Sequence, residues 1–522
     1  MDNKNNKGRY LKQLIDIANV LTSSELITAK KHLGAFESNY TSANKKMLRL
    51  FKEIVNNKRT DYDYLKKRIS KDSNDNSFNK LIRRTMDRLQ ESIILDVNIR
   101  RKDAYSEVFR KKYFLRKQLI QVQILIDRGL TERPLIIVNN VIRYAKKFEL
   151  YDESIEAYIY KQQILRITGR SEFYEMIDNK INHYEKCKVK LKYTKDVFRL
   201  FLARNTKKAK YTFGKSFSNK LKLIFKYYQE TNSDNILSYY LLLKIEEYSV
   251  RKDTIGELSY IHQLIKLLNK SPVLYSSARI AYLKINVTII ELSSFRFDIA
   301  LNEINDAIDI MGESRNLNYV IANSLKVSAL FYNYKYEKVR IEIESIEKNY
   351  ILSKYAYHAA KIQYQKAMNY FALGMFEEVK TILYNLNDIE KDKEGWHLWM
   401  RIMRIICSIE LLKLNLIDYD VESFRKFIER LSKNVDIKKR EQLIMKIIVE
   451  LDRCDYDFDL VATKRAKELN LLRSNNPKVR WDPSSPEMIL FHDWFDAKRE
   501  KRVYYPKFEP YLASIEKKEI LA

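Results

Sequence analysis

Glycine is almost absent from this chain: 9 residues in 522, against a usual share of about 7%. Proline is nearly as scarce, at 7. Tight turns and hairpins are built from these two residues, because glycine reaches positive φ freely and proline presets φ. A sheet-rich protein of this length needs many of both, whereas a stack of helices with short polar connections needs few. All nine glycines are isolated, so no glycine-rich phosphate loop exists. Cysteine is limited to Cys187, Cys407 and Cys454. They are widely spaced and odd in number, so they make neither a disulfide framework nor a paired metal-ligand spacing, and they suit a reducing compartment. No apolar run approaches the ~18 residues a membrane helix needs. Met1 to Arg9 is polar with no apolar signal region behind it. The expectation is a cytoplasmic chain without membrane insertion.

What is present points to helices. Hydrophobic residues make up 46% and charged residues 31%, which is ample for a core in two or three domains or in one extended array. Apolar residues recur at helical spacing, as in Phe78, Leu81, Ile82, Met86, Leu89 and Ile93, where Ser77 is the expected N-cap. Phe114–Arg128 and Asp152–Thr168 are expected helices ending at Gly129 and Gly169, each followed by a second helix, Thr131–Phe148 and Ser171 to about Leu191. Residues 196–290 carry no clear parse.

Beyond them a repeat emerges. Phe297-Asp298-Ile299-Ala300, Tyr336-Glu337-Lys338-Val339 and Phe376-Glu377-Glu378-Val379 lie 39 and 40 residues apart, and a weaker copy, Tyr419-Asp420-Val421, lies 43 further on. In each, an aromatic packs into a turn, an acid sits where the helix dipole favours it, and a smaller apolar residue lets the second helix approach the first. Ala372-Leu373-Gly374-Met375-Phe376-Glu377-Glu378-Val379 is similar to the turn of tetratricopeptide repeats. The chain thus resembles TPR-like helical-repeat proteins of an uncharacterised bacterial type, over residues 282–432 and more loosely 114–190. The period near 40 exceeds that family's ~34 and approaches the HEAT-type length. The resemblance implies an all-α solenoid of stacked antiparallel helix pairs with a concave face for a protein or peptide partner. The turn positions that carry it are Phe297, Ala300, Tyr336, Val339, Gly374, Phe376 and Val379.

Three regions are expected: a basic helical module at 1–100, the array at 101–473, and an extension at 474–522 that holds five of the seven prolines. In the extension Pro486 to Arg502 is an expected helix with Pro486 at its first position, and Trp481, Phe491, Trp494 and Phe495 are expected to dock on the last repeat.

Catalytic motifs fail on inspection. Phe213-Gly214-Lys215-Ser216 ends like a phosphate loop, but Ala209 stands where the first glycine is required. Asp455-Tyr456-Asp457-Phe458-Asp459 begins like a calcium loop, but Leu460 and Ala466 occupy its glycine and glutamate positions. The six histidines are dispersed and none follows an arginine at five residues. Asp493, Asp496 and Lys498 have nuclease residue types on a segment that reads as helix, where a nuclease presents them from a strand. No enzyme, cofactor or metal is expected.

The net charge of +28 is uneven. Residues 1–120 hold 28 Lys and Arg against 14 Asp and Glu, half the excess. Asp61–Ile69, a polar turn and Ser77–Ile94 have the order of a helix-turn-helix (60–95), with Lys80, Arg83, Arg84 and Arg88 on the outer face of the second helix. From Arg204 to Gln229 run eight bases and no acid, including Lys207, Lys208, Lys210, Lys215, Lys220 and Lys222, interleaved with aromatics. Two readings stand: a nucleic-acid surface, in which bases neutralise phosphates and rings stack, or a solvated basic face beside buried aromatics. The leading expectation is a non-enzymatic scaffold for a protein or peptide; the alternative is a nucleic-acid-associated regulator. Oligomeric state is left open.

Overall fold

In the computed structural model the described residues are 8–21, 23–34, 42–71, 74–95, 106–205, 215–312, 316–348, 352–386, 395–431, 437–474 and 476–508. They form 24 α-helices and no strand. The fold is an α-solenoid whose sequential helices pack as neighbours. It divides into two compact units, residues 1–239 with 271–275, and residues 240–270 with 276–522.

The first unit opens with α1 (Arg9–Val20), α2 (Ser23–Gly34), α3 (Ser42–Asn57), α4 (Tyr62–Ile69) and α5 (Asp75–Leu95). These enclose a core of their own, with Leu14, Leu33, Leu50, Phe51, Leu65, Phe78 and Ile82 fully buried. Helix α5 lies against α1, α2 and α3. Its cap is Asn74 rather than the expected Ser77: the Asn74 carboxamide accepts from Ser77 N–H at 2.8 Å. Then follow α6 (Glu107–Asp127), α7 (Glu132–Lys147), α8 (Tyr151–Ile167), α9 (Tyr174–Asn205) and α10 (Lys215–Thr231). Helix α9 runs well past the expected end near Leu191. Helices α6 to α8 share a separate core around Leu115, Val122, Val138 and Phe148.

Helix α11 (Asp234–Arg251) belongs partly to each unit. The second unit continues with α12 (Thr254–Lys270), α13 (Ser277–Ser293), α14 (Phe297–Met311), α15 (Leu317–Tyr332), α16 (Tyr336–Glu347), α17 (Ala356–Ala372), α18 (Phe376–Asn385), α19 (Trp396–Glu410), α20 (Leu414–Leu431), α21 (Lys439–Arg453), α22 (Phe458–Lys464), α23 (Ala466–Arg473) and α24 (Phe491–Arg499). Phe297, Tyr336 and Phe376 are the first residues of α14, α16 and α18, and Ala300, Val339 and Val379 are fully buried one turn later. Tyr419 breaks the pattern. It lies inside α20 and is 67% exposed, because the turn comes earlier, at Leu412 and Lys413. A further copy of the turn precedes Phe458, with Val461 fully buried.

The backbone explains how an array of turns forms with so little glycine. At Gly374, Gly374 N–H bonds Phe371 O and Met375 N–H bonds Tyr370 O, which closes the helix end around one left-handed residue. The same pair of bonds recurs with Lys252, Phe295, Tyr334, Leu412 and Asp455 in that place, all at positive φ. These positions set the period, 38 to 43 residues, and Lys252 marks a turn within residues 196–290, which carry no clear pattern in sequence. A non-glycine residue there costs about 1–2 kcal/mol. Leu412 is 81% exposed, so its side chain contributes no packing. Leu412→Gly is therefore expected to raise stability by about 0.5–1 kcal/mol. Gly374→Ala is expected to lower it by about 1 kcal/mol through backbone strain alone, since a Cβ there meets nothing within 4 Å. Denaturant midpoints at unchanged m-value read both effects.

The expected helix from Pro486 to Arg502 is confined to α24. Before it the chain makes local turns: Asp482 accepts from Ser484 N–H at 2.9 Å and Ser485 Oγ accepts from Glu487 N–H at 3.3 Å. These side-chain bonds compete with a helix until Leu490.

Candidate functional site

Helices α15, α17, α19 and α21 are the first members of successive pairs, and each contacts residues 481–508. Together they grip the backbone of a non-helical segment. Tyr332 and Tyr364 donate their hydroxyls to the carbonyls of Pro483 and Pro486, each at 2.9 Å. Burial raises both hydroxyls well above the usual tyrosine range, so they stay donors. Tyr334 accepts from Phe508 N–H at 2.7 Å. Trp481 fills an aromatic socket: it stacks on Phe508, with centroids 5.4 Å apart, and meets Phe295 and Tyr332 edge-on. Its indole N–H donates to Glu487 O at 2.8 Å. Trp494 donates to Glu410 at 2.7 Å, and Lys498 pairs with the same carboxylate at 3.0 Å. Trp494 and Phe495 pack on Phe458 of α22, in the last pair, with ring centres 5.9 and 5.2 Å away, while Trp481 docks farther back along the array.

One buried cation locks the segment. Arg440, at the start of α21, forms a two-pronged ion pair with Glu487, which is 1% exposed. Its remaining N–H groups reach Leu472 O at 3.0 Å, Val479 O at 2.9 Å and His492 Nδ1 at 3.2 Å. Burial, with Arg440 and Arg473 nearby, pulls His492 down to about 3, so a neutral imidazole accepts from Arg440. The unfolded chain takes up that proton near pH 6.5 and the folded chain does not. The stability contributed by neutral His492 is therefore complete above pH 6.5 and is lost as pH falls from there toward 3. Unfolding free energy is expected to drop by up to about 1.4 kcal/mol per pH unit from this group. His492→Asn, which keeps an acceptor, should flatten the slope measured between pH 6.5 and 4.

A cavity of about 360 Å³ remains open beneath the segment, between Ile289, Leu325, Ser328, Lys361, Trp396 and residues 482–486. The Lys361 ammonium sits 4.6 Å from the Trp396 ring centre.

The basic residues singled out in the sequence lie in the first unit. Lys80, Arg83 and Arg84 are exposed on α5. Arg83 stacks on Tyr10 of α1, 4.0 Å from the ring centre, and also bonds its hydroxyl. Arg88 pairs with Glu91 at 2.7 Å. Lys222 is exposed and Lys220 half-buried on α10. Lys207, Lys208 and Lys210 lie outside the described residues, as does the Lys215 side chain. Asp493 and Asp496 are held in ion pairs with Arg502 and Arg473 at 2.9 and 2.5 Å, and Asp457 caps α22.

The anchors Tyr332, Tyr364, Arg440 and Glu487 escaped sequence reasoning, because their contacts join residues 47 to 151 apart. Among the described residues, no helix is long and apolar enough to cross a membrane. Comparison with protein-family models, with curated proteins and with solved structures found no match.

Proposed function

We propose that this chain is a non-enzymatic, TPR-like scaffold that binds a protein or peptide partner in the cytoplasm on its helical-repeat surface. The observation that carries this reading is the hold of α15, α17 and α21 on residues 479–486 through their backbone carbonyls. Side chains that satisfy another segment's carbonyls, beside sockets for its aromatic rings, are the chemistry of polypeptide recognition. Here part of that face is used in cis, and a partner engages what is left open, the cavity beside Lys361 and Trp396 or the outer faces of the first unit.

The alternative, a nucleic-acid-associated regulator, draws support from exposed Lys80, Arg84 and Lys222. It is weakened by Arg83 and Arg88, which are turned to Tyr10 and Glu91. Purification of the full chain from nuclease-treated native extract is expected to retain a stoichiometric protein. A gel shift that weakens steeply with salt and is lost in Arg83→Glu/Arg84→Glu, with no protein retained, would favour the regulator instead.

A further inference from the structure

A second surface, in the first unit, has the composition of a binding site. A groove of about 500 Å³ runs along α7, lined by Arg133, Ile136, Ile137, Asn139, Asn140 and Arg143 with Gln118 of α6. No acid lines it. Arg133, Ile136, Asn140 and Arg143 recur at helical spacing and so share one face.

The hydrogen-bonding capacity left over is mostly donor. Asn140 accepts from Arg143 at 2.7 Å and Asn139 accepts from Lys161 at 2.9 Å, which leaves the amide N–H groups of both to donate. Arg133 and Arg143 are exposed, and among the described residues no ion pair engages either. Lys111 and Arg143 sit on the same Tyr144 ring, 4.5 and 4.9 Å from its centre, which concentrates positive charge beside the groove. Residues 106–148 hold ten Lys and Arg against three Asp and Glu. Gln118 Oε1 is buried with no hydrogen-bond partner among the described residues. Between the guanidinium groups Ile136 is 60% exposed.

Each feature selects a ligand group. Guanidinium groups match carboxylates two-pronged. Ile136 and Ile137 form an aliphatic floor. A nucleic-acid strand would be drawn by the same charge, but the lining holds no ring on which bases could stack. We infer that the α7 groove docks an acidic segment of a partner protein, with an aliphatic residue flanked by carboxylates. Arg133 and Arg143 are ten residues apart, about 15 Å along the helix, so the carboxylates lie about four or five residues apart in an extended chain. This rests on the protein-binding reading above and names a surface and a partner chemistry for it.

The test uses the full chain and a fluorescein-labelled peptide with glutamate pairs on either side of a central leucine, read by anisotropy. Saturable binding is expected, weakened at least tenfold in Arg133→Glu/Arg143→Glu and again in Ile136→Asp. These positions are exposed, and circular dichroism checks the fold. A peptide with lysines for glutamates should not bind. No binding of the acidic peptide, or binding unchanged in both variants, overturns the groove assignment; neither touches the scaffold reading, which stands or falls on the retained partner. A uridine-rich RNA that binds in its place, and is lost in the same variants, overturns the proposal in favour of nucleic acid.

Discussion

Arg440→Ala is expected to destabilise the second unit by about 3–5 kcal/mol, the usual consequence of leaving one member of a buried ion pair alone. The substitution strands the carboxylate of Glu487, 1% exposed. It also frees the carbonyls of Leu472 and Val479, which no longer find the guanidinium. Among the described residues Glu487 keeps the Phe491 N–H bond at 3.2 Å, too little to hold a buried charge. The loss is local in origin, so residues 476–508 should become the first target of limited proteolysis. Arg440→Lys should recover little, because an ammonium cannot reproduce the fork that meets Glu487, two carbonyls and His492 together. Arg440→Met with Glu487→Met should recover part of the stability, since an apolar pair carries no stranded charge.

Trp481→Ala is expected to cost a similar amount, about 3–5 kcal/mol for a fully buried indole. Phe508, Phe295 and Tyr332 would surround a vacated space, and Glu487 O would lose its donor. Trp481→Phe separates the two effects. It keeps a ring in the socket and removes the indole N–H, and should cost about 1–3 kcal/mol, the price of one unsatisfied buried carbonyl. Thermal or denaturant unfolding reads the stability; acrylamide quenching of the remaining tryptophans shows whether the socket opens.

The turns were legible in sequence because their signal is local. An aromatic, an acid and a small or β-branched residue within four positions sufficed for Phe297, Tyr336 and Phe376. The signal failed at Tyr419, where the turn is made by Leu412 in a left-handed conformation that leucine does not advertise. It failed likewise at Lys252 in the central stretch. Glycine scarcity pointed to helices, yet it hid the helix ends, since backbone bonding there tolerates lysine, phenylalanine and tyrosine. The C-terminal segment misled for the opposite reason. Pro486 is a good first residue for a helix, but Asp482 and Ser485 satisfy the nearby N–H groups first. The grip on that segment was invisible, because Arg440, Glu487 and His492 acquire meaning only when the pairs are stacked. The α7 groove was hidden among ordinary surface residues; its sequence trace is the spacing of Arg133, Ile136, Asn140 and Arg143, which is common on solvated helices.

Hydrogen exchange read by mass spectrometry tests most directly whether the first helices of the second unit hold their own C-terminal segment. Amides of residues 487–499 should exchange as slowly as those of α15 and α17 and lose protection together with them in Arg440→Ala. Exchange of 487–499 within seconds in the unaltered chain, while α15 and α17 remain protected, would contradict it.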